Sequence, residues 1–256
     1  MGLIKKLITE KLETQIFQTR EEMGTAAAEA AAKAICKILE KKPFVNVIFA
    51  AAPSQNEMLE ALLAQKLDFG KINAFHMDEY EGLSIEQSQS FARYLNDHIF
   101  SKASFASVHY IPAHKGADKA CEEYAQLLKQ YPPDVVCLGI GENGHIAFND
   151  PPVADFNDPL TVKKVKLDDV CRMQQVHDGC FPDLNAVPQY ALTLTIPALL
   201  SAEYMICTVP AATKENAVKA MLQGPYGETC PATALRKHSG AMMFLDADSG
   251  AKVMML

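Results

Sequence analysis

Nowhere in the 256 residues does a basic cluster exceed a lysine pair and a neighbour; Lys5-Lys6, Lys41-Lys42 and Lys163-Lys164 are the densest. With a net charge of -7 there is no electropositive footprint for DNA or RNA, so no nucleic-acid partner is expected. No apolar run approaches the ~20 residues that a membrane helix needs. Met1 to Glu10 carries lysines but no apolar stretch of signal-peptide type, so no membrane partner is expected either. C-x-x-C spacing is absent. The seven cysteines are scattered and odd in number, which argues against a disulfide framework or a zinc site and for a reducing, cytoplasmic compartment. Cys137 and Cys207 lie inside apolar runs and read as small core hydrophobes. The histidines other than His145 lack metal-ligand spacing with one another, so no metal is expected. There is no internal repeat and no low-complexity linker, so residues 1–256 read as one domain.

What is present is an alternation of apolar runs and helical patterns. Strands are expected at Val45–Ala51, Ile72–Met77, Val108–Ile111, Val135–Gly139, Ala191–Ile196, Tyr204–Val209 and Ala241–Leu245. Several of these runs are continuously apolar, the habit of strands buried on both faces of a parallel sheet. Helices are expected at Arg20–Leu39, Asn56–Gln65, Ser88–Ile99, Asp118–Lys129, Lys214–Leu222 and Ala232–Lys237. The pattern predicts an α/β fold: a doubly wound, mostly parallel open sheet with helices on both faces. The long, polar, Pro-rich stretch 151–188 reads as a lid-like excursion from it.

Ligands in open α/β sheets bind beyond the carboxyl ends of the strands. Those ends carry Asp78-Glu79-Tyr80, Gly141-Glu142-Asn143-Gly144-His145, Pro53-Ser54-Gln55-Asn56 and Thr213-Lys214. Acid, imidazole, amide and ammonium therefore converge on one rim. Gly139, Gly141 and Gly144 match a dinucleotide fingerprint by spacing, but the helix this would need runs into Pro151-Pro152. The glycines are read instead as admitting backbone N–H groups close to a small ligand.

Ala74-Phe75-His76-Met77-Asp78-Glu79-Tyr80-Glu81-Gly82-Leu83 resembles the M-D-E-Y-x-G-L segment of the glucosamine-6-phosphate deaminase/isomerase family. The run from Gly139 through Gly144-His145-Ile146-Ala147-Phe148-Asn149-Asp150-Pro151 resembles that family's G-x-G-x-D-G-H-I-A-F-N-E-P segment. Val187-Pro188-Gln189-Tyr190-Ala191-Leu192-Thr193 resembles its V-P-x-x-A-L-T segment. The sister 6-phosphogluconolactonase family shares the Gly-His pair but continues T-A-S-L-F-P, which favours the deaminase side. The resemblance implies a carboxylate base at Asp78 that moves a proton between adjacent sugar carbons. It implies ring opening by His145, with Asn143 and Asp150 in the places of two orienting carboxylates. Glu79, Gly141 and Gly144 would support the site, Lys214 would contact phosphate, and Arg172 is the nearest candidate for a lid arginine. No redox cofactor or metal is implied. The expected partner is a small-molecule sugar phosphate, and a homo-oligomer is compatible with the sequence.

Three departures touch the substrate end. The family's Gly-rich phosphate loop is Ala51-Ala52-Pro53-Ser54-Gln55 here, and Ser54 with Glu57 reads as a capping box that would compete with phosphate. Ser54 and Gln55 then suit a hydroxylated substrate end. Asn143 replaces an aspartate and removes a negative neighbour from His145. Asp150 replaces a glutamate and is one methylene shorter. The expected reaction is isomerisation with deamination of an amino-sugar phosphate. Lactone hydrolysis, with His145 activating water, and a sugar-phosphate sensor without turnover remain the alternatives.

Overall fold

The computed structural model describes residues 2–177 and 179–254. In chain order the elements are β1 (Leu3–Thr9), β2 (Leu12–Phe17), α1 (Arg20–Leu39), β3 (Val45–Phe49), α2 (Asn56–Leu63), β4 (Ile72–His76), β5 (Asp78–Tyr80), α3 (Phe91–Leu95), β6 (Ser107–His109) and α4 (Ala117–Gln130). There follow β7 (Val135–Leu138), β8 (Val162–Lys166), α5 (Asp169–His177), β9 (Tyr190–Leu194), α6 (Ile196–Leu200), β10 (Tyr204–Val209), α7 (Glu215–Gln223), β11 (Ala241–Leu245) and α8 (Ala251–Met254).

Eight strands form one sheet in the order β1-β2-β11-β10-β7-β3-β4-β6, parallel throughout except for the β1–β2 hairpin. The side-chain period of two divides each central strand between two cores. Val45, Val47 and Phe49 of β3 join Val135 and Cys137 of β7 on the face covered by α1 and α2. Ile48, Val136 and Leu138 point the other way, into a core with Tyr124 and Leu128 of α4 and Val218 and Met221 of α7. The helices thus lie on both faces, as continuously apolar strands require. Each fully buried Val or Phe contributes about 1.5–3 kcal/mol. Helix α1 begins where Thr19 Oγ1 accepts from the N–H of Glu22 at 3.2 Å. Its buried stripe includes Ala27, Ala28, Ala31 and Ala34, small enough for close approach to the sheet.

A second, three-stranded antiparallel sheet has the order β5-β9-β8. The strand expected at Ala191–Ile196 belongs here rather than in the parallel sheet. Its apolar run reflects cover on both faces, which parallel pairing is not needed to explain. Thr195 ends it by capping α6, accepting from the N–H of Ala198 at 3.3 Å. The expected helix over Ser88–Ile99 is shorter at its start, where Ser90 Oγ accepts from the Arg93 N–H at 3.0 Å, and it finishes in a π-helical turn at Asn96–Phe100. Segment 151–188 is far from featureless: it carries β8, α5 and a 3-10 turn at Leu184–Ala186. No helix of the described residues is long and apolar enough to cross a membrane, and all seven cysteines are free.

Candidate active site

From β3 the chain builds outward through β4 to β6, then returns to place β7 on the other side of β3, and β10 and β11 beyond it. The direction of winding reverses between β3 and β7. In a doubly wound sheet the crevice outside the carboxyl ends of such a strand pair is the natural ligand site. A cavity lies there, walled by Ala50, Ala51, Ala52 and Ser54 after β3 and by Gly139, Ile140 and Gly141 after β7. Met77 and Asp78 enter from the end of β4, and Lys214 from the turn after β10. His145, Ala147, Phe148 and Phe91 complete its wall with Gln174 and Gln175 of α5.

Asp78 occupies the crease where the chain leaves the large sheet and joins the small one. Met77 makes the crossing, its carbonyl accepting from the Leu194 N–H at 2.8 Å, and Asp78 pairs with Thr193. His76 fixes the crease from inside. One of its ring nitrogens, Nδ1, bonds the Asp78 carbonyl at 2.9 Å, while Nε2 accepts from the Ile111 N–H at 2.7 Å. Full burial pushes the His76 imidazole down to about 4, so it is neutral, with its proton on Nδ1. Burial, reinforced by the neighbouring Glu79 charge, holds the Asp78 carboxyl well above the ordinary carboxylate range. Glu79 turns away from the cavity. Its Oε1 accepts from the N–H groups of Tyr80 at 2.9 Å and Phe91 at 3.1 Å, and its Oε2 from Ala92 at 2.9 Å. It anchors the start of α3 behind Asp78, and burial pushes it up to about 7 despite those three donors.

His145 stands on a loop whose shape depends on glycine. A Cβ at Gly141 would lie 2.1 Å from the imidazole Cε1 and 2.3 Å from both ring nitrogens. Ala147, two residues on, is held in the left-handed region at φ 48, a strained position for a non-glycine residue at the cavity wall. The His145 Nδ1 is 2.7 Å from Asn143 Oδ1 and 2.9 Å from Asp150 Oδ1. Both neighbours are acceptors, so Nδ1 carries the proton and Nε2 is left for the cavity. Asn143 Nδ2 donates to Asp150 Oδ1 at 3.0 Å and to Asp168 Oδ2 at 3.3 Å. A carboxylate thus stands behind the amide at position 143, that of Asp168. Burial alone would raise the Asp150 carboxyl. Its contacts with His145, the Asn143 amide and the Asp168 N–H outweigh burial and hold it below its usual value. Gly144 does not line the cavity. Its φ of +83 and the Cys230 sulfur, 2.7 Å from where a Cβ would be, explain the glycine structurally.

The loop after β3 does not form the expected capping box. Neither the turn at Pro53–Gln55 nor α2 has a side-chain cap. Glu57 instead binds Arg20 Nε at 2.6 Å, and Arg20 also donates to the Pro53 carbonyl. The charge expected to repel phosphate is therefore occupied, and the N–H groups of Ala51 and Ala52 bond to no backbone carbonyl among the described residues. Ser54 lines the cavity. Gln55 does not: it is fully buried, donating through Nε2 to the Thr208 carbonyl at 3.3 Å and accepting from Thr208 Oγ1 at 2.8 Å. Lys214 is 6% exposed, and it is the one lysine or arginine lining the cavity among the described residues. Before it, Ala211 adopts φ 80 with its N–H bound to Asp246 Oδ2 at 2.9 Å.

Arg172 lies away from the cavity. Its Nη1 meets Asp169 at 2.9 Å, and its Nη2 donates to the carbonyls of Leu184 at 2.7 Å and Val187 at 3.0 Å, tying α5 to the chain that returns to β9. Gln174, whose Oε1 accepts from the Glu142 N–H at 2.9 Å, and Gln175 come to the wall instead. Sequence reasoning missed both glutamines, together with His76, Asp168 and Asp246. Only the helical spacing of Cys171, Gln174 and Gln175, all buried on α5, could have pointed to an inward face.

The family described as glucosamine-6-phosphate isomerases/6-phosphogluconolactonase matches residues 18–244. A glucosamine-6-phosphate deaminase of Bacillus cereus strain B4264 is 30% identical over 236 residues, covering 91% of this chain and 86% of that one. A solved monomeric glucosamine-6-phosphate deaminase superposes with a TM-score of 0.84 at 28% identity, over 93% of this chain and 98% of its own. A 6-phosphogluconolactonase from Thermotoga maritima shares the fold, with a TM-score of 0.74 at 24% identity over 91% and 99% of the two chains.

Proposed function

Because the chain belongs to the glucosamine-6-phosphate isomerase/6-phosphogluconolactonase family, we propose that it isomerises and deaminates an amino-sugar phosphate, giving a ketose phosphate and ammonia. The observation that carries this is that Asp78 and His145 line one cavity, with the Nδ1 of His145 held from behind by Asn143. His145, with Nδ1 turned to Asn143 and Asp150, takes the proton of the sugar's 1-hydroxyl on Nε2 and returns it to the ring oxygen, opening the pyranose. Asn143, Asp150 and Asp168 hold the ring orientation and stabilise the imidazolium formed in passing. Asp78 then removes the proton from carbon 2 and delivers it to carbon 1, while the carbonyl oxygen gains a proton and the amine gives one up, turning the 2-amino aldose into a 2-iminoketose. Water adds to the imine carbon and ammonia leaves. A carboxyl with raised proton affinity suits this shuttle, because it is a stronger base than an ordinary carboxylate. Lys214 and the N–H groups of Ala51 and Ala52 receive the phosphate. Residues 1–256 act as one catalytic unit in the cytoplasm, with 151–188 as its cover, since α5 supplies part of the cavity wall.

Asp78 is what separates this reaction from lactone hydrolysis or mere sensing, neither of which needs a carboxylate shuttle. Ammonia and ketose phosphate are measured with a panel of amino-sugar phosphates, beside hydrolysis of 6-phosphogluconolactone. Release of both products from at least one amino sugar supports the proposal. Lactone hydrolysis alone, or binding without turnover, rejects it.

A further inference from the structure

Gln175 is a polar group in the cavity for which the reaction has no use. The residue is 7% exposed, it lines the cavity, and its carboxamide makes no hydrogen bond to any described residue. Its neighbour Gln174 differs, being committed to the Glu142 N–H. Its amide nitrogen and oxygen are not sealed inside the protein but open onto the cavity, where they can bond water or whatever displaces it. A ligand that fills the cavity displaces that water and has to replace its bonds.

The chemistry of the substrate narrows what that ligand group is. Carbons 1 and 2 are served by Asp78, the 1-hydroxyl and ring oxygen by His145, and the phosphate by Lys214 with the loop after β3. The hydroxyls on carbons 3 and 4 remain. A carboxamide is neutral and offers both donors and an acceptor, which matches a hydroxyl that donates and accepts. A phosphate dianion would leave the amide oxygen facing like charge. We propose that Gln175 binds the 3- or 4-hydroxyl of the sugar and is the residue by which the enzyme selects among epimeric amino-sugar phosphates. This rests on the deaminase reading above and goes beyond it, by assigning a specificity-determining residue on α5.

The test is a cycle between side chain and hydroxyl. Wild type, Gln175→Leu and Gln175→Asn are assayed with glucosamine 6-phosphate, its 4-epimer galactosamine 6-phosphate, and the 3-deoxy and 4-deoxy analogues of the preferred sugar. Gln175→Leu should lower kcat/KM on the preferred sugar by on the order of tenfold or more. On the analogue lacking the hydroxyl that is bound it should cost little further, and its preference between epimers should shrink if that hydroxyl is at carbon 4. Equal losses on the parent and both deoxy analogues, or no loss on any, would overturn the assignment. If Gln175→Leu does not fold, Gln175→Asn, which draws the amide back by one methylene, carries the same cycle. Wild type that releases no ammonia from any of these sugars defeats the reaction reading instead. The cycle is then run on calorimetric Kd values, where equal losses, or no binding of the parent sugars, again overturn the role of Gln175.

Discussion

Gly141→Ala tests whether the position of the His145 ring matters, without touching the ring itself. Gly141 has no positive φ, so alanine meets no backbone penalty there and the effect is steric. The new methyl would stand 2.1 Å from Cε1 and 2.3 Å from both ring nitrogens. Carbon contacts settle at about 3.5–4.0 Å, so the ring must retreat by more than about 1 Å. The Nδ1 bonds, now 2.7 Å to Asn143 and 2.9 Å to Asp150, would then lie beyond hydrogen-bond reach. Two losses follow. Overpacking a tight site costs about 1–3 kcal/mol of stability. Losing an oriented proton shuttle costs about 10²–10⁴-fold in rate. Urea denaturation reads the first and steady-state ammonia release the second. A variant that folds and turns over within about threefold of wild type would refute the claim that the Asn143–Asp150 grip on His145 is needed; the threshold is set far below the expected loss.

Asp78→Asn keeps size and loses basicity. It should bind the sugar phosphate with unchanged Kd by calorimetry while kcat falls about 10²–10⁴-fold. Glu57→Gln should leave phosphosugar affinity unchanged, because the charge already belongs to Arg20; tighter binding would show that it does reach the phosphate. Its stability should fall by no more than about 1 kcal/mol, as expected for a partly exposed pair, read as a small shift in Tm. Glu79 supplies a pH dependence. Its folded proton affinity, at about 7, is raised above that of the unfolded chain, so its contribution to stability is full below the ordinary carboxylate range and lost as pH rises through about 7. The urea midpoint should therefore drop between pH 5 and pH 8, and Glu79→Gln should flatten that slope.

The parallel strands were legible because burial on both faces writes itself as unbroken apolar runs; Tyr204–Val209 and Ala241–Leu245 have the expected bounds. The edge hairpin β1–β2 was not. Leu3–Thr9 mixes lysines with partly exposed apolar residues, and a strand paired on one side needs no apolar run. Strand β8, Val-Lys-Lys-Val-Lys, hides for the same reason, and β5 is only three residues long. At the site, Asp78, His145, Ser54 and Lys214 were found from where strands end, and the structure brings all four to one cavity. Gln55 and Arg172 were placed by position along the chain, which says nothing of side-chain direction; one points into the core and the other back across its own segment. Asp168 and Gln175 reach the site only through folding of the 151–188 segment, in which the spacing of Cys171, Gln174 and Gln175 is the one short period to read.

The measurement that bears most directly on the central claim is turnover of glucosamine 6-phosphate in D₂O, with the ketose phosphate examined by NMR. If Asp78 carries a proton from carbon 2 to carbon 1, wild type releases ammonia and its product carries deuterium at carbon 1 wherever the carboxyl exchanges with solvent before delivery. Asp78→Asn then releases no ammonia above about 1% of the wild-type rate. Ammonia release by Asp78→Asn at a rate near that of wild type would contradict the account.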